Sequence, residues 1–117
     1  MTEIEALKTK VREFCEARDW DQFHGPKELA IGLITEAAEL LEHFRFQSDA
    51  QIAEMFKDPR KKEEIEDEIA DCFFFILRFA GRNDIDLAKA CERKIAKSAL
   101  KYPVEKARGN NRKYDQL

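Results

Sequence analysis

Two pairs of acidic residues lie within apolar, helix-like stretches of the chain. Glu36 and Glu39 belong to the segment LAIGLITEAAELLEHF, and Glu68 and Asp71 belong to EIADCFFFIL. A spacing of three residues places both members of a pair on one face of a helix. A carboxylate in apolar surroundings takes up a proton unless a cation neutralises it. Four such groups indicate a shared divalent cation held by oxygen ligands.

The alternative interpretation is a solvated strip of acids paired with lysines. No lysine or arginine lies three or four residues from any of the four acids on its own helix. By contrast, the acids at 63–67 share their turns with Arg60, Lys61 and Lys62, which is typical of a wet helix face. This contrast favours the cation site for the two apolar pairs.

The ligand types indicate which cation this site would hold. Di-iron helical bundles use Glu-x-x-His, whereas neither pair here ends in histidine and His43 follows Glu39 by four residues. A set of carboxylates alone suits Mg²⁺, with Mn²⁺ as a possible substitute. Such a site serves phosphoryl chemistry, so a nucleotide or another polyphosphate is the expected substrate class. Either Glu36 or Glu39 is also expected to take the proton of the attacking water.

Aromatic residues near these acids could stack a nucleotide base. Trp20 and Phe23 precede the helix that carries Glu36, and Phe46 lies just beyond its end. For each of them, ordinary core packing is the alternative interpretation. His24 either contacts a ligand or has a capping or packing role.

A basic stripe could meet the phosphates. Lys94, Lys97 and Lys101 are spaced so that they share one helix face. A merely solvated face is the alternative interpretation.

The pattern of turns and apolar residues predicts an all-α, four-helix bundle. Thr2, Ser48, Asp58 and Asp84 or Asp86 are expected to cap helices, with Gly81 and Pro103 as stop signals. Two of the helices are apolar nearly all round, which predicts a self-associated, oligomeric bundle. We expect one helical domain at 1–104 and an irregular polar tail at 105–117. The predicted helices are 2–18, 27–45, a short one within 48–57, 58–79 and 84–101.

Composition limits the function classes further. The 117 residues carry 21 basic and 24 acidic side chains, which leaves no basic excess to bind nucleic acid. No apolar run reaches the roughly 18 residues of a membrane span. Three widely spaced cysteines, Cys15, Cys72 and Cys91, predict free thiols in a reducing compartment, and we expect a cytoplasmic protein.

Several motifs together resemble the MazG-like superfamily of all-α nucleoside triphosphate pyrophosphohydrolases, in particular the branch containing dCTP pyrophosphatase. The resemblance spans most of the chain. Its motifs are RDWDQFHGPKEL (18–29), EAAEL (36–40), HFRF (43–46), EIEDEIAD (64–71), KYPVEKARG (101–109) and NRKY (111–114).

This resemblance implies cleavage between the α and β phosphates to a monophosphate and pyrophosphate. It implies that the four acids bind Mg²⁺, and that the protein is a homodimer or homotetramer. At matching positions, it implies that Trp20 and Phe46 line the base pocket, while Lys94 and Tyr102 reach the phosphates.

Some expected pocket residues differ from the family pattern. Phe46 stands where the family often has Trp, Phe75 where relatives have Tyr, and Ser98 where they have Asn. Val11 replaces a His, and Pro26 is followed by Lys-Glu-Leu instead of Arg-Asn-Leu. The sequence therefore predicts the reaction more firmly than dCTP as the substrate. Two other hypotheses are a different phosphate hydrolase on the same metal site and a non-enzymatic helical interaction module.

Overall fold

The computed structural model describes all 117 residues, and it contains helices and no β-strand. The predicted all-α class is confirmed. The four long helices and the short helix within 48–57 were expected, and the short α6 adds a sixth. Short 3₁₀ turns cover Asp21–Phe23 and Tyr114–Gln116. The helices are α1 (Glu3–Ala17), α2 (Pro26–Glu42), α3 (Asp49–Lys57), α4 (Pro59–Arg82), α5 (Leu87–Lys101) and α6 (Val104–Ala107).

Side-chain caps begin four of these helices, as the sequence predicts. The Thr2 hydroxyl accepts from the Glu5 amide at 3.1 Å, and Asp58 and Asp86 cap α4 and α5 in the same way. Ser48 and Gln51 form a reciprocal capping box at the start of α3. Local hydrogen-bonding chemistry therefore sets where these helices start.

One predicted boundary is wrong, since Gly81 lies inside α4, which continues to Arg82 and is closed by Asn83. The helix predicted to end before Pro103 does so, since α5 ends at Lys101. The tail is not wholly irregular, because Pro103 also precedes the short helix α6. Proline is tolerated at a helix start because the first amide groups have no partner within the helix.

The chain forms two compact units, Met1–Asp84 and Ile85–Leu117. In the first unit α4 is central, and α1, α2 and α3 all pack against it. Its core consists of Cys15, Leu29, Ile65, Leu77 and Ala80. The second unit consists of α5, α6 and the turn at Tyr114–Gln116. The boundary expected at residue 104 stays a prediction.

Helices α2 and α4 are in close contact at Gly32. A Cβ atom added there would lie 2.3 Å from Cε1 of Phe75, well inside van der Waals contact. Only the missing side chain of glycine lets the Phe75 ring pack against the α2 backbone. This contact fixes how α2 and α4 face each other one turn away from Glu36.

Large apolar side chains remain exposed along the same two helices. On α2 they are Ile31, Ile34 and Leu41, and Ile34 is 70% exposed. On α4 the exposed set is Ile69, Phe73 and Ile76. Their spacing of three, four or seven residues forms one stripe on each helix. We call these two sets the apolar stripes.

No helix of the chain combines the length and the apolar character required to cross a membrane.

Candidate active site

Three of the four predicted acids converge between α2 and α4. Glu36 and Glu39 lie one turn apart on α2, and Glu68 reaches them from α4. One carboxylate oxygen of each residue lies within 4.8 Å of the others. The packing of α2 on α4 thus brings together acids that are about 30 positions apart in the sequence. We call these three residues the carboxylate cluster.

Asp71 does not belong to this group in the structure, although it was predicted as a fourth ligand. It is exposed and follows Glu68 by one turn of α4. Its negative charge still raises the pKa of Glu36, so it lies within electrostatic reach of the cluster.

The cluster has almost no positive charge to balance it. Glu36 and Glu39 form no ion pair, and the partner of Glu68 is His43, whose Nε2 lies 4.0 Å from Glu68 Oε1. One oxygen each of Glu36 and Glu68 is buried without any hydrogen-bond partner. Leaving such atoms unpartnered costs about 1–3 kcal/mol each. A ligand that supplies positive charge would remove this cost.

The pKa of Glu36 reports the same imbalance. Burial raises it first, the hydrogen bond with Glu39 second, and the negative charges of neighbouring acids third, to about 7 from 4.5. The acids of the predicted wet face, by contrast, have partners on their own helix: Lys61 pairs with Glu64 at 3.3 Å and Lys62 with Glu66 at 3.9 Å. The predicted wet face is therefore neutralised within its own helix, whereas the carboxylate cluster is not.

The residues of the cluster fit a hard divalent cation. Their donors are all oxygen, the atom type that Mg²⁺ and Mn²⁺ prefer. Their three oxygens lie within 4.8 Å of one another, close enough for side-chain movements to bring them around one Mg²⁺, whose bonds to oxygen are about 2.1 Å long. The two unpartnered oxygens would then gain a partner.

The predicted aromatic loop is ordered by contacts within the first unit. Trp20 packs edge-on against Phe14, with ring centroids 5.6 Å apart, and against His24 at 6.1 Å. Phe23 is exposed. The structure thus supports packing for part of the Trp20 ring and leaves Phe23 open to a ligand.

Phe46 and Phe75 occupy contrasting environments. Phe46 is 88% exposed and has a backbone φ of 65°, in the left-handed region that non-glycine residues rarely adopt. Its nearest cation is Arg45, 4.5 Å above the ring. Phe75 instead packs on Gly32 and edge-on against Phe74. Phe46 is free to stack on a base, whereas Phe75 holds two helices together.

The remaining predicted residues lie in the second unit. Lys94 is exposed and Ser98 half-buried on α5. The Tyr102 hydroxyl accepts from the Tyr114 amide at 3.2 Å, and Lys101 Nζ lies 4.6 Å over the Tyr114 ring. Tyr114 therefore orders the residues around the end of α5.

Two residues of the first unit, His43 and Arg78, take part in contacts that their sequence spacing did not predict. His43 had no metal-ligand spacing, and only the packing of α2 on α4 brings it to Glu68. Arg78 is 3% exposed and binds His24 and Asp21. A single cation inside the apolar run FFFILRFAG was the available signal for Arg78.

Comparisons with known proteins show which family the chain is similar to. A sequence model of the MazG-like family matches residues 31–117. The dCTP pyrophosphatase 1 proteins of Rattus norvegicus and Homo sapiens are each 32% identical over 114 residues, which covers 97% of this chain and 67% of the relative. A crystal structure of a pyrophosphatase from Archaeoglobus fulgidus is 36% identical with a TM-score of 0.81, over 88% of this chain and 94% of that one. The chain belongs to the MazG-like family.

Proposed function

We propose that this protein is a Mg²⁺-dependent nucleoside triphosphate pyrophosphohydrolase. The observation that carries the proposal is the carboxylate cluster, with its two buried and unpartnered oxygens. The similarity to dCTP pyrophosphatases over 97% of the chain supports a nucleoside triphosphate as the substrate. We propose dCTP or a modified deoxynucleoside triphosphate, and removal of such nucleotides from the cellular pool as the role.

In the proposed reaction, water attacks the α-phosphorus of the triphosphate. A bond forms between the water oxygen and this phosphorus, and the bond from the phosphorus to the α–β bridging oxygen breaks. Pyrophosphate leaves, and the nucleoside monophosphate remains. Mg²⁺ bound at the site would neutralise phosphate charge and make the water more acidic.

The four acids divide this work among them. We assign Glu36, Glu39 and Glu68 to holding Mg²⁺, and Asp71 as a fourth ligand once its side chain turns toward the cluster. Glu36 or Glu39 accepts the proton of the attacking water. Both lie on α2 within a hydrogen bond of each other, so a proton taken by one can be shared with its neighbour.

Other residues would bind the nucleotide. We assign the base to the aromatic side chains and to Ser98, and the phosphates to the basic residues and Tyr102. Residues 85–117 carry nine basic and four acidic side chains, whereas residues 1–84 carry 12 basic and 20 acidic ones. A strongly basic segment suits an anionic substrate. The assigned residues are Trp20, Phe23, His24, Phe46, Phe75, Lys94, Ser98, Lys101 and Tyr102.

We also propose that a second copy of the chain covers the apolar stripes. Ridges of side chains at these spacings fit into the grooves of another helix pair. Exposed apolar patches of this kind mark contact surfaces in most proteins that carry them. The resulting homodimer could pair again into a homotetramer. Three free thiols support our placing of the protein in the cytoplasm.

Product analysis tests the reaction. The purified protein is incubated with canonical and modified triphosphates and Mg²⁺, and the products are identified by mass spectrometry. We expect a monophosphate and pyrophosphate in equal amounts. A diphosphate with orthophosphate would refute α–β cleavage and would favour another phosphate hydrolase. No turnover of any triphosphate would favour a non-enzymatic helical module.

Conservative variants test the metal ligands. Glu39→Gln and Asp71→Asn should each lower kcat at least a hundredfold, since each removes one negative ligand (roughly 3 kcal/mol). Glu63→Gln is the matched control, because Glu63 is exposed on the wet face of α4. Wild-type activity in Asp71→Asn would show that Asp71 is not a ligand of the metal.

Sedimentation analysis tests the dimer. Ile34→Glu and Phe73→Glu place a charge within the apolar stripes and should shift the protein toward monomer. Val104→Glu is the control, since Val104 is 70% exposed and lies outside both stripes. A wild-type protein that sediments as a monomer at all concentrations would refute the proposed interface.

A further inference from the structure

Arg78 is a buried charge in the middle of apolar helix α4. It is 3% exposed, and its neighbours along the helix are mostly aromatic or aliphatic. Burying a guanidinium is costly unless its donors find good acceptors. Here Nε donates to Nδ1 of His24 at 2.9 Å, and a terminal nitrogen forms a short ion pair with Asp21. Both acceptors belong to the loop that carries Trp20.

The bond from Arg78 determines which nitrogen of His24 carries the proton. Because Nδ1 accepts from an arginine, which always has its donors protonated, Nδ1 has no proton of its own. The proton of the neutral ring therefore lies on Nε2. Nε2 makes no hydrogen bond within the protein and is not among its buried unpartnered atoms. It is a hydrogen-bond donor available to a ligand.

The surroundings of His24 keep it neutral. Burial lowers its pKa most, followed by the positive charges of Arg78 and Arg82, while the negative charge of Asp21 opposes them. A protonated ring would also need a proton on Nδ1, which would break the bond from Arg78. Charge and hydrogen bonding therefore act in the same direction.

The same arginine ties the loop to the helix that carries the cluster. Arg82 assists by donating to the Asp21 carbonyl at 3.2 Å. Arg78 follows Asp71 by seven residues, which corresponds to about 10 Å along α4 and nearly the same face of the helix. The loop that carries Trp20 is thus attached to α4 about two turns after Asp71, on nearly the same face of the helix.

We propose that Arg78 is a positioning residue that holds His24 as a neutral Nε2–H donor, and that this donor binds an acceptor atom of the nucleotide. The acceptor class is a base carbonyl, a ring nitrogen or a phosphate oxygen. The identity of the ligand rests on the proposed function, whereas the position of the proton on His24 Nε2 does not depend on it.

Nitrogen-15 NMR of the wild-type protein tests the proton position without any variant. At neutral pH we expect His24 Nδ1 to show the shift of an unprotonated nitrogen and Nε2 that of a protonated one, with any titration of the ring displaced below its ordinary pKa. A His43→Gln variant assigns the signals, since the chain has two histidines. A proton on Nδ1, or titration of His24 near its ordinary pKa of about 6.5, would overturn the proposal.

Titration with dCMP, a product that is not turned over, tests ligand contact. We expect the His24 Nε2–H signal to shift on binding. If dCMP binds, as the fluorescence of Trp20 would report, and the Nε2–H signal does not move, the proposal is refuted.

Arg78→Met and Arg78→Lys test the positioning role. In either variant His24 should titrate and KM should rise roughly tenfold, the effect of about one lost hydrogen bond, while kcat changes less than twofold. Arg82→Met is the control for lost positive charge, because Arg82 contributes to the charge around His24 but forms no hydrogen bond with it, so Nδ1 should stay unprotonated and KM should stay near the wild-type value. Equal KM values in both Arg78 variants and wild type would refute the positioning role.

The two proposals can fail separately. If wild-type protein hydrolyses no triphosphate, the proposed function fails, and the NMR titration with dCMP still decides whether His24 contacts a nucleotide. If hydrolysis occurs with a freely titrating His24, the proposed function stands and this inference fails.

Discussion

Replacing Glu36 with glutamine should stabilise the metal-free protein at neutral pH. The change removes a carboxyl group whose pKa rises from 4.5 to about 7 in the folded chain. An amide of the same shape has no charge to bury. It also leaves the two neighbouring acids of the cluster in place.

The size of the effect follows from the two pKa values. Below pH 4.5 the carboxyl is protonated in both states and does not affect stability. As pH rises, the unfolded chain ionises first while the folded chain keeps its proton, so stability is lost. The loss is about 1.4 kcal/mol per pH unit and reaches about 3 kcal/mol above pH 7.

Urea unfolding in EDTA, followed by the fluorescence of Trp20, measures this loss. Wild-type protein should lose about 3 kcal/mol more stability than Glu36→Gln between about pH 4.5 and 8. Glu63→Gln, on the wet face, should follow the wild type. Both proteins contain the same two histidines, so the contribution of these residues cancels when the stability of one protein is subtracted from that of the other. The two proteins are compared at the same protomer concentration.

Identical pH slopes in wild type and Glu36→Gln would refute the reasoning. They would mean that Glu36 is ionised at ordinary pH and that the cluster is well solvated. Adding Mg²⁺ at about pH 8 gives an independent check, since it should stabilise wild type by more than Glu36→Gln.

Three further outcomes are expected. Gly32→Ala should lower stability by about 1–2 kcal/mol in urea unfolding, because the clash with Phe75 outweighs about 1 kcal/mol of gained helix propensity, and adding Phe75→Leu should restore most of the loss. In metal-free protein, iodoacetamide should modify exposed Cys91 before Cys72, whose pKa is raised by burial and by the nearby acids, as peptide mass mapping would show. Ser48→Ala removes the capping-box bond that the Ser48 hydroxyl accepts from the Gln51 amide and should cost about 1 kcal/mol, with unchanged stability refuting a role for the cap.

The sequence predicted helix starts better than helix ends. Ser48 and Asp58 are local signals, since a cap needs only the next two or three residues. Gly81 was misleading because glycine is tolerated within a helix whose far side is well packed, and α4 is packed by three other helices. Tertiary contacts therefore overrode a local stop signal.

In the candidate site too, features within one helix could be predicted, whereas contacts between helices could not. The pairs at i and i+3 on one helix could be predicted, because their geometry depends only on the helical period. Which acids meet across helices could not, and the structure joins Glu68 but not Asp71 to the pair on α2. His43 and Arg78 were missed for the same reason, since their partners lie 25 and 54 positions away.

The packing of α2 on α4 is therefore the condition on which the site depends. Burying Glu36 beside other carboxylates without a cation opposes folding, by about 3 kcal/mol above pH 7. Apolar contacts between the same helices must offset that loss, and Gly32 allows them by letting the Phe75 ring reach the α2 backbone. Since Gly32 is one turn before Glu36 and Phe75 one turn after Asp71, this close contact lies directly beside the acids that the two helices hold together. A bound cation would then stabilise an arrangement that packing has already imposed, and this accounts for a glycine at position 32, inside a helix where alanine has the higher helix propensity.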